Sequence, residues 1–279
     1  MFYNVVRLPN GVLFTTFDKH VGLFAEGEFR PLQGLVRPCR VLRAACAQDQ
    51  NGEVFFGEYF SNQDRGPMHI YRLAPDGEDL EIVYTFPSGS IRHIHGIYFD
   101  AFSGCLWCVT GDREKECRML KTSDGFKSLE TVGQGDESWR CVSLLFTKES
   151  IYYASDAEFN QNYIYRLDRK TGERRIVTEI DGPVYYSQKA GDDLFFAVTA
   201  ELCPSQVEPS ASIWNIGKDG VCSRVASFRK DFLPVVYFMP GTLHFPLGPG
   251  ASDALVFQAV GLKGMDGQTF RLFRTNQMD

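Results

Sequence analysis

Two of the chain's five histidines stand two apart in "SIRHIHGIYFD" (residues 90–100), with Arg92 beside them. A β-strand alternates its faces, so His93 and His95 would project from the same side. Paired imidazoles can ligate a divalent cation, transfer a proton or hydrogen-bond a ligand. Carboxylates recur in comparable settings: Glu58 in "FFGEY", Asp112 in "VTGD", Asp156 with Glu158 in "ASDAE", and Glu201 in "VTAE". Arg43, Arg92, Trp139 with Arg140, and Tyr185 with Tyr186 supply cations and aromatic rings. Rings stack on a pyranose, and charged groups bind its hydroxyls or carboxylate, so this set suits a sugar.

The elements that would carry these residues come from an internal repeat. "IYRLAPDGE" (70–78) is nearly copied by "IYRLDRKTGE" (164–173), and more loosely by "RMLKTSDGF" (118–126) and "SIWNIGKDG" (212–220). The turn glycines Gly77, Gly125, Gly172, Gly220 and Gly267 recur at steps of about 47–48 residues, in the range of propeller blades, and Gly27 begins the series. The fourth unit shows the internal pattern. It reads "RCVSLLF", a turn, "IYYASD", a loop, "YIYRLD", a turn, and "RRIVTEI", each run short and rich in β-branched or aromatic residues. No segment carries a helical period. The expectation is an all-β chain, a six-bladed β-propeller of four-stranded antiparallel blades in one domain. The blades would fall at 1–40, 41–88, 89–136, 137–181, 182–231 and 232–279, with the strand division of the last open.

In such a fold the start of each first strand and the end of each second strand meet on one face. Arg43, Arg92, His93, His95, Trp139, Arg140, Tyr185 and Tyr186 fall at first-strand starts. Glu58, Asp112, Asp156 and Glu201 end second strands. Acids at that place also serve as turn caps, and the clustering of all these types is what marks a ligand site.

Composition narrows the partners. A net charge of −6 without a basic cluster argues against nucleic acid. No apolar run approaches the roughly 20 residues of a membrane-spanning helix. "MFYNVVRLPNGVLFTTF" reads as a hairpin and lacks a basic leader region, so the expected location is cytoplasmic. The eight cysteines are scattered, and Cys105 and Cys108 form a lone C-x-x-C, so they are expected to be buried free thiols.

The runs "GEYFSN", "RHIHGIYFD", "VTGD", "SWRCVSLLFT" and "IYRLDRKTG" resemble the BNR/Asp-box, sialidase-like propellers labelled glycosyl hydrolases in bacterial polysaccharide gene clusters. The resemblance covers nearly the whole chain. Its Asp-box, "TSDGFKSL" (122–129), keeps Asp124 but has Leu129 where the family has Trp. Sialidases of this type use an arginine triad, which Arg43, Arg92 and Arg140 could supply, and a Tyr–Glu pair that no motif here fixes. The implied function is action on an acidic bacterial oligo- or polysaccharide. In a hydrolytic version two of the carboxylates share the work, with Glu58 and Glu201 first in line and Asp112 and Asp156 behind them. A second resemblance is to propeller polysaccharide lyases such as oligogalacturonate lyase, some of which hold a metal with a His-x-His pair. On that likeness Glu58, Asp112 or His244 would complete a divalent metal site with His93 and His95. In the elimination version His93 or His95 is the base and Tyr185 or Tyr186 the acid. Hydrolysis needs no cofactor, and the primary expectation for the histidines is ligand contact or proton transfer. A sugar-binding or scaffolding propeller without catalysis is the alternative of a different class.

Overall fold

The structure, a computed structural model, describes residues 2–246, 248, 250 and 254–273. The described residues contain no α-helix, only single 3-10 turns at Glu114–Glu116 and Glu137–Trp139, and no helix is long and apolar enough to cross a membrane. They form six antiparallel sheets, five of four strands and one of three. The chain divides into two compact units, Met1–Arg140 and Cys141–Asp279, with three sheets in each.

In the first unit the sheets are β1 (Phe2–Arg7), β2 (Leu13–Phe17), β3 (His20–Ala25) and β4 (Glu28–Pro31); β5 (Cys46–Gln48), β6 (Val54–Gly57), β7 (Met68–Leu73) and β8 (Leu80–Phe86); and β9 (His93–Asp100), β10 (Cys105–Gly111), β11 (Arg118–Thr122) and β12 (Glu130–Gln134). Each is a meander in chain order, and β1 and β2 form the hairpin expected around "PNG". The core runs through all three sheets. Phe14 packs on Phe56 with ring centroids 5.3 Å apart, Phe56 stacks on Tyr71, and Phe55 meets Phe126. Every residue of β6 is buried, so this strand is apolar on both faces and does not alternate.

In the second unit the sheets are β13 (Leu144–Phe146), β14 (Ser150–Ala154), β15 (Asn162–Asp168) and β16 (Arg174–Ile180); β17 (Val184–Ala190), β18 (Asp193–Val198), β19 (Ser210–Ile216) and β20 (Cys222–Arg229); and β21 (Thr242–His244), β22 (Ala254–Val260) and β23 (Thr269–Phe273). Two apolar clusters support them, one around Ile164, Phe196 and Val198, the other around Leu243, Phe245 and Phe257. The last sheet has three strands among the described residues, and residues 274–279 of the expected sixth blade lie outside them.

Gly27, Gly77, Gly125, Gly172 and Gly220 all lie between the third and fourth strands of their sheets. Each has a positive φ, from 70° at Gly125 to 86° at Gly27, a conformation that L side chains enter only with strain. Gly267 differs. Its turn joins β22 to β23, the second and third strands of the last sheet, so the even sequence step there does not reflect an equivalent turn.

The "TSDGFKS" segment is a turn locked by Asp124, whose carboxylate accepts from the Thr122 hydroxyl (2.7 Å), the Ser128 hydroxyl (2.6 Å) and the Ser128 amide (3.0 Å). Phe126, at φ 70°, is driven into the core by this turn. All eight cysteines are free thiols; Cys39, Cys108, Cys117 and Cys141 are buried as expected, whereas Cys46, Cys105, Cys203 and Cys222 are only half-buried. Burial raises the pKa of Cys39 and Cys46 to about 12, and that of Cys117 and Cys222 to about 11.

Candidate functional site

The site is assembled at the junction of β9 and β10. His93 pairs with Gly111 at the end of β10, which places Asp112 beside the start of β9. The register shifts at this point, with Gly96 opposite Val109 and Ile94 opposite Thr110, leaving His95 as the extra residue of a β-bulge. A bulge re-aims side chains locally, and here both imidazoles turn toward one carboxylate. His93 Nε2 lies 3.3 Å from Asp112 Oδ2, and His95 Nε2 lies 3.2 Å from Oδ1. Ile94 between them points the other way and is fully buried, as strand alternation requires.

Two glycine-dependent features make this arrangement possible. A Cβ at position 111 would sit 2.6 Å from Cε1 of His95, so only glycine lets that ring lie against β10. Asp112 itself has φ 123°, a region that favours glycine and strains other residues. Asp112 is thus a strained residue held between two histidines.

Two guanidinium groups complete the first surroundings of Asp112. Arg92 donates from Nη1 to Oδ2 at 2.9 Å, and Arg140 Nη2 lies 3.7 Å from Oδ1 while its Nη1 faces Glu137 at 3.6 Å. Arg92 is fastened from behind: its Nε donates to the Ser61 carbonyl at 2.8 Å, and its own carbonyl accepts from the Asn62 amide at 2.8 Å. His93 is oriented in the same way, with Nδ1 against the Phe60 carbonyl at 3.3 Å and its ring on Tyr59, centroids 4.3 Å apart. Nδ1 of His95 is buried without a hydrogen-bond partner. Burial by itself would raise the Asp112 carboxyl, but the hydrogen bonds from His93 and His95 outweigh it and hold the group well below the ordinary carboxylate range. Burial likewise pushes His95 below its usual value, against the opposing pull of Asp112.

His93, His95 and Asp112 are the group of His, Cys, Asp and Glu residues, among those described, whose donor atoms converge closely enough to hold a metal ion. One ligand atom from each of the three lies within 4.8 Å of the others, and the His–Asp distances, 3.3 Å to Oδ2 and 3.2 Å to Oδ1, compare with the roughly 3.0–3.4 Å between neighbouring donors of a cation with bonds near 2.1 Å. His93 Nδ1 faces the Phe60 carbonyl while its Nε2 faces Asp112 Oδ2. That contact needs a positive centre, either a proton or a metal ion.

The other expected residues fall elsewhere. Glu58 follows β6 as expected, but its carboxylate is 0% exposed. It accepts from the His69 amide at 2.9 Å and the Tyr71 hydroxyl at 3.0 Å, and pairs with Arg37 at 3.3 Å. It braces the second sheet and is not part of the histidine group. Arg43 sits half-buried in the turn ahead of β5. Trp139 ends a 3-10 turn and lies over Gly133 of β12, where a Cβ would come within 2.3 Å of its ring. In the second unit, Asp156 is buried just beyond β14. Tyr185 donates a short hydrogen bond to Glu201, and Tyr186 packs on His244 with centroids 4.5 Å apart. The residues that sequence reading missed are Gly111, Asn62, Glu137 and the Phe60 carbonyl. Of these only Gly111 left a signal, a glycine directly before the strand-ending acid.

No protein-family profile matches the chain, and no curated protein matches its sequence. Its backbone is similar to several solved structures. An oligogalacturonate lyase in complex with manganese aligns with TM-score 0.63 at 12% identity, over 96% of this chain and 74% of that one. An oligogalacturonate lyase from Vibrio parahaemolyticus aligns with TM-score 0.58 at 8% identity, over 93% of this chain and 73% of that one. A GH74 xyloglucanase from Xanthomonas campestris aligns with TM-score 0.61 at 15% identity, over 90% of this chain but 42% of its own length. At these identities the likeness is one of fold, and the fold is all-β and propeller-like.

Proposed function

We propose that the chain is a carbohydrate-active β-propeller, its six sheets the blades of one domain, acting on acidic oligosaccharides by β-elimination at His93, His95 and Asp112. The observation that carries the reading is the convergence of two imidazole Nε2 atoms on the two oxygens of one strained aspartate, flanked by two arginines. The structural likeness to carbohydrate-active enzymes, one of them in complex with manganese, supports it.

A divalent cation held by His93, His95 and Asp112 would neutralise a uronate carboxylate and acidify the adjacent C–H. The proton so acidified would pass to a water molecule and the leaving glycosidic oxygen would take one back from water, while the chain's own residues bind and orient. Arg92, with a third of its side chain exposed, presents its guanidinium to the substrate carboxylate while one nitrogen stays on Asp112. Arg140, at 12% side-chain exposure, is too enclosed to follow a substrate and steadies Asp112 from the other side. The Phe60 carbonyl and the Tyr59 ring fix the plane of His93.

A second reading rests on a separate observation. The Tyr185 hydroxyl bonded to Glu201 is a phenol beside a base, and hydrolysis would use the phenolate oxygen as nucleophile with Glu201 taking its proton. The deciding experiment incubates the purified protein with oligogalacturonate and other acidic oligosaccharides, with manganese or with chelator. Elimination produces a conjugated double bond seen in the ultraviolet, dependent on manganese and absent in His93→Ala and Asp112→Asn. New reducing ends without that absorbance, lost in Tyr185→Phe, would move the chemistry to the hydrolytic pair. Saccharide binding without either product would leave a binding module and overturn the enzymatic reading.

A further inference from the structure

Asp231–Pro240, "DFLPVVYFMP", connects β20 to β21 and turns its apolar side chains outward. Phe232 is 93% exposed, Val236 86% and Tyr237 83%, and Val235, Phe238 and Met239 are each about half exposed or more. This is not a strand showing one face, because neighbours in sequence are exposed together. Nor is it a slack loop. The Tyr237 and Phe238 amides both donate to the Pro234 carbonyl, at 3.1 and 3.0 Å, so the turn is tied to itself and holds its rings out. Gly241, at its end, is bridged to Ala200 with an amide–carbonyl distance of 2.7 Å. The turn after β18 therefore runs alongside, and it adds exposed Leu202 and Val207.

The size and chemistry of this patch point to an occupant. The three rings, at roughly 150–250 Å² each and weighted by exposure, offer about 450 Å². That already reaches the roughly 300–600 Å² of the largest apolar patch on an ordinary monomer. With the valines, the methionine and the neighbouring turn it approaches the ~800 Å² that each partner gives to a standard interface. Residues 232–240 carry no charge, and Asp231 is bonded to Lys230. An uncharged centre rich in Phe, Tyr and Met has the composition of a homodimer interface core, and it can face its own two-fold copy without opposing like charges there. The flanks carry both signs, with Arg229 and Lys263 exposed beside the turn and Asp231 bonded to Lys230, so they offer no single-signed surface to an anionic membrane.

We infer that this patch is the contact between two copies of the chain, packed about a two-fold axis through the Asp231–Pro240 turn. The test is sedimentation velocity on the full chain from low to high micromolar concentration, beside the double variant Val236→Ser, Tyr237→Ser. Both side chains are over four-fifths exposed, so the variant is expected to keep its melting temperature within a few degrees. The expected result is a wild-type dimer and a variant at least tenfold weaker in self-association. A wild-type chain that stays monomeric throughout, or a dimer that the double variant leaves intact, overturns the inference. Flotation of the wild type, but not the variant, with phosphatidylcholine vesicles would assign the patch to lipid instead.

Discussion

A methyl group at position 111 would have to displace the His95 ring, since its Cβ would stand 2.6 Å from Cε1 and 3.0 Å from Nδ1. Gly111→Ala is therefore expected to lower manganese affinity by roughly 10–100-fold, the usual effect of disturbing a ligand's support, as read by titration calorimetry. Unchanged affinity would show that His95 is not a ligand. The strain at Asp112 gives a second comparison. Asp112→Gly and Asp112→Ala both lose the carboxylate, but only glycine is at ease at φ 123°, so the glycine variant should be the more stable by about 1 kcal/mol in denaturant melts. Equal stability would mean the backbone there relaxes freely. The histidine pair and Asp112 were legible in the sequence because strand alternation and strand ends are local properties. Glu58 and Asp112 looked alike, each following a glycine at a strand end. What separates them lies across the sheet, Tyr71 and the His69 amide around one and two imidazoles around the other, and chain order does not show that.

Among the elements, the third-to-fourth strand turns were the most legible, because a positive φ must be met by a suitable residue wherever the turn recurs. Gly267 misled for the same reason: a glycine in step with the series serves a different turn. The Asp124 turn offers two measurements. Phe126→Ala should cost about 3–5 kcal/mol, as for other large rings removed from a core, and be visible as a lowered denaturation midpoint. The hydrogen bonds from Ser128 and Thr122 hold the Asp124 carboxyl down at about 2. A depressed folded-state pKa contributes stability above the unfolded value, near 3.9, that disappears as pH falls through about 2. Wild type should thus lose more stability than Asp124→Ala between about pH 4 and 2 in acid titrations followed by circular dichroism. Parallel curves would show the turn indifferent to its charge.

At the scale of the molecule, a net charge of −6 opposes the approach of an acidic oligosaccharide even though Arg92 receives it at close range. Screening lengths shrink from about 30 Å at 0.01 M salt to about 8 Å at 0.15 M. Salt in that range should therefore speed association measured by stopped flow, the reverse of electrostatic steering, and slowing would place a net positive field over the site. The all-β, propeller-like character and the four-stranded antiparallel sheets were readable from periodicity, whereas the exposed Asp231–Pro240 turn was not, because apolar residues in sequence look buried until a fold shows otherwise. The free thiols have a use of their own. Only the thiolate is alkylated, and desolvation raises the thiol pKa of Cys108, which is buried, and of Cys46 and Cys222, which are half-buried, so all three stay protonated near neutral pH. Each lies in a different sheet, Cys46 on β5, Cys108 on β10 and Cys222 on β20. Iodoacetamide labelling of the native protein, followed cysteine by cysteine in a mass spectrometer, would clock the opening of each sheet separately, with three stopwatches already set into the chain.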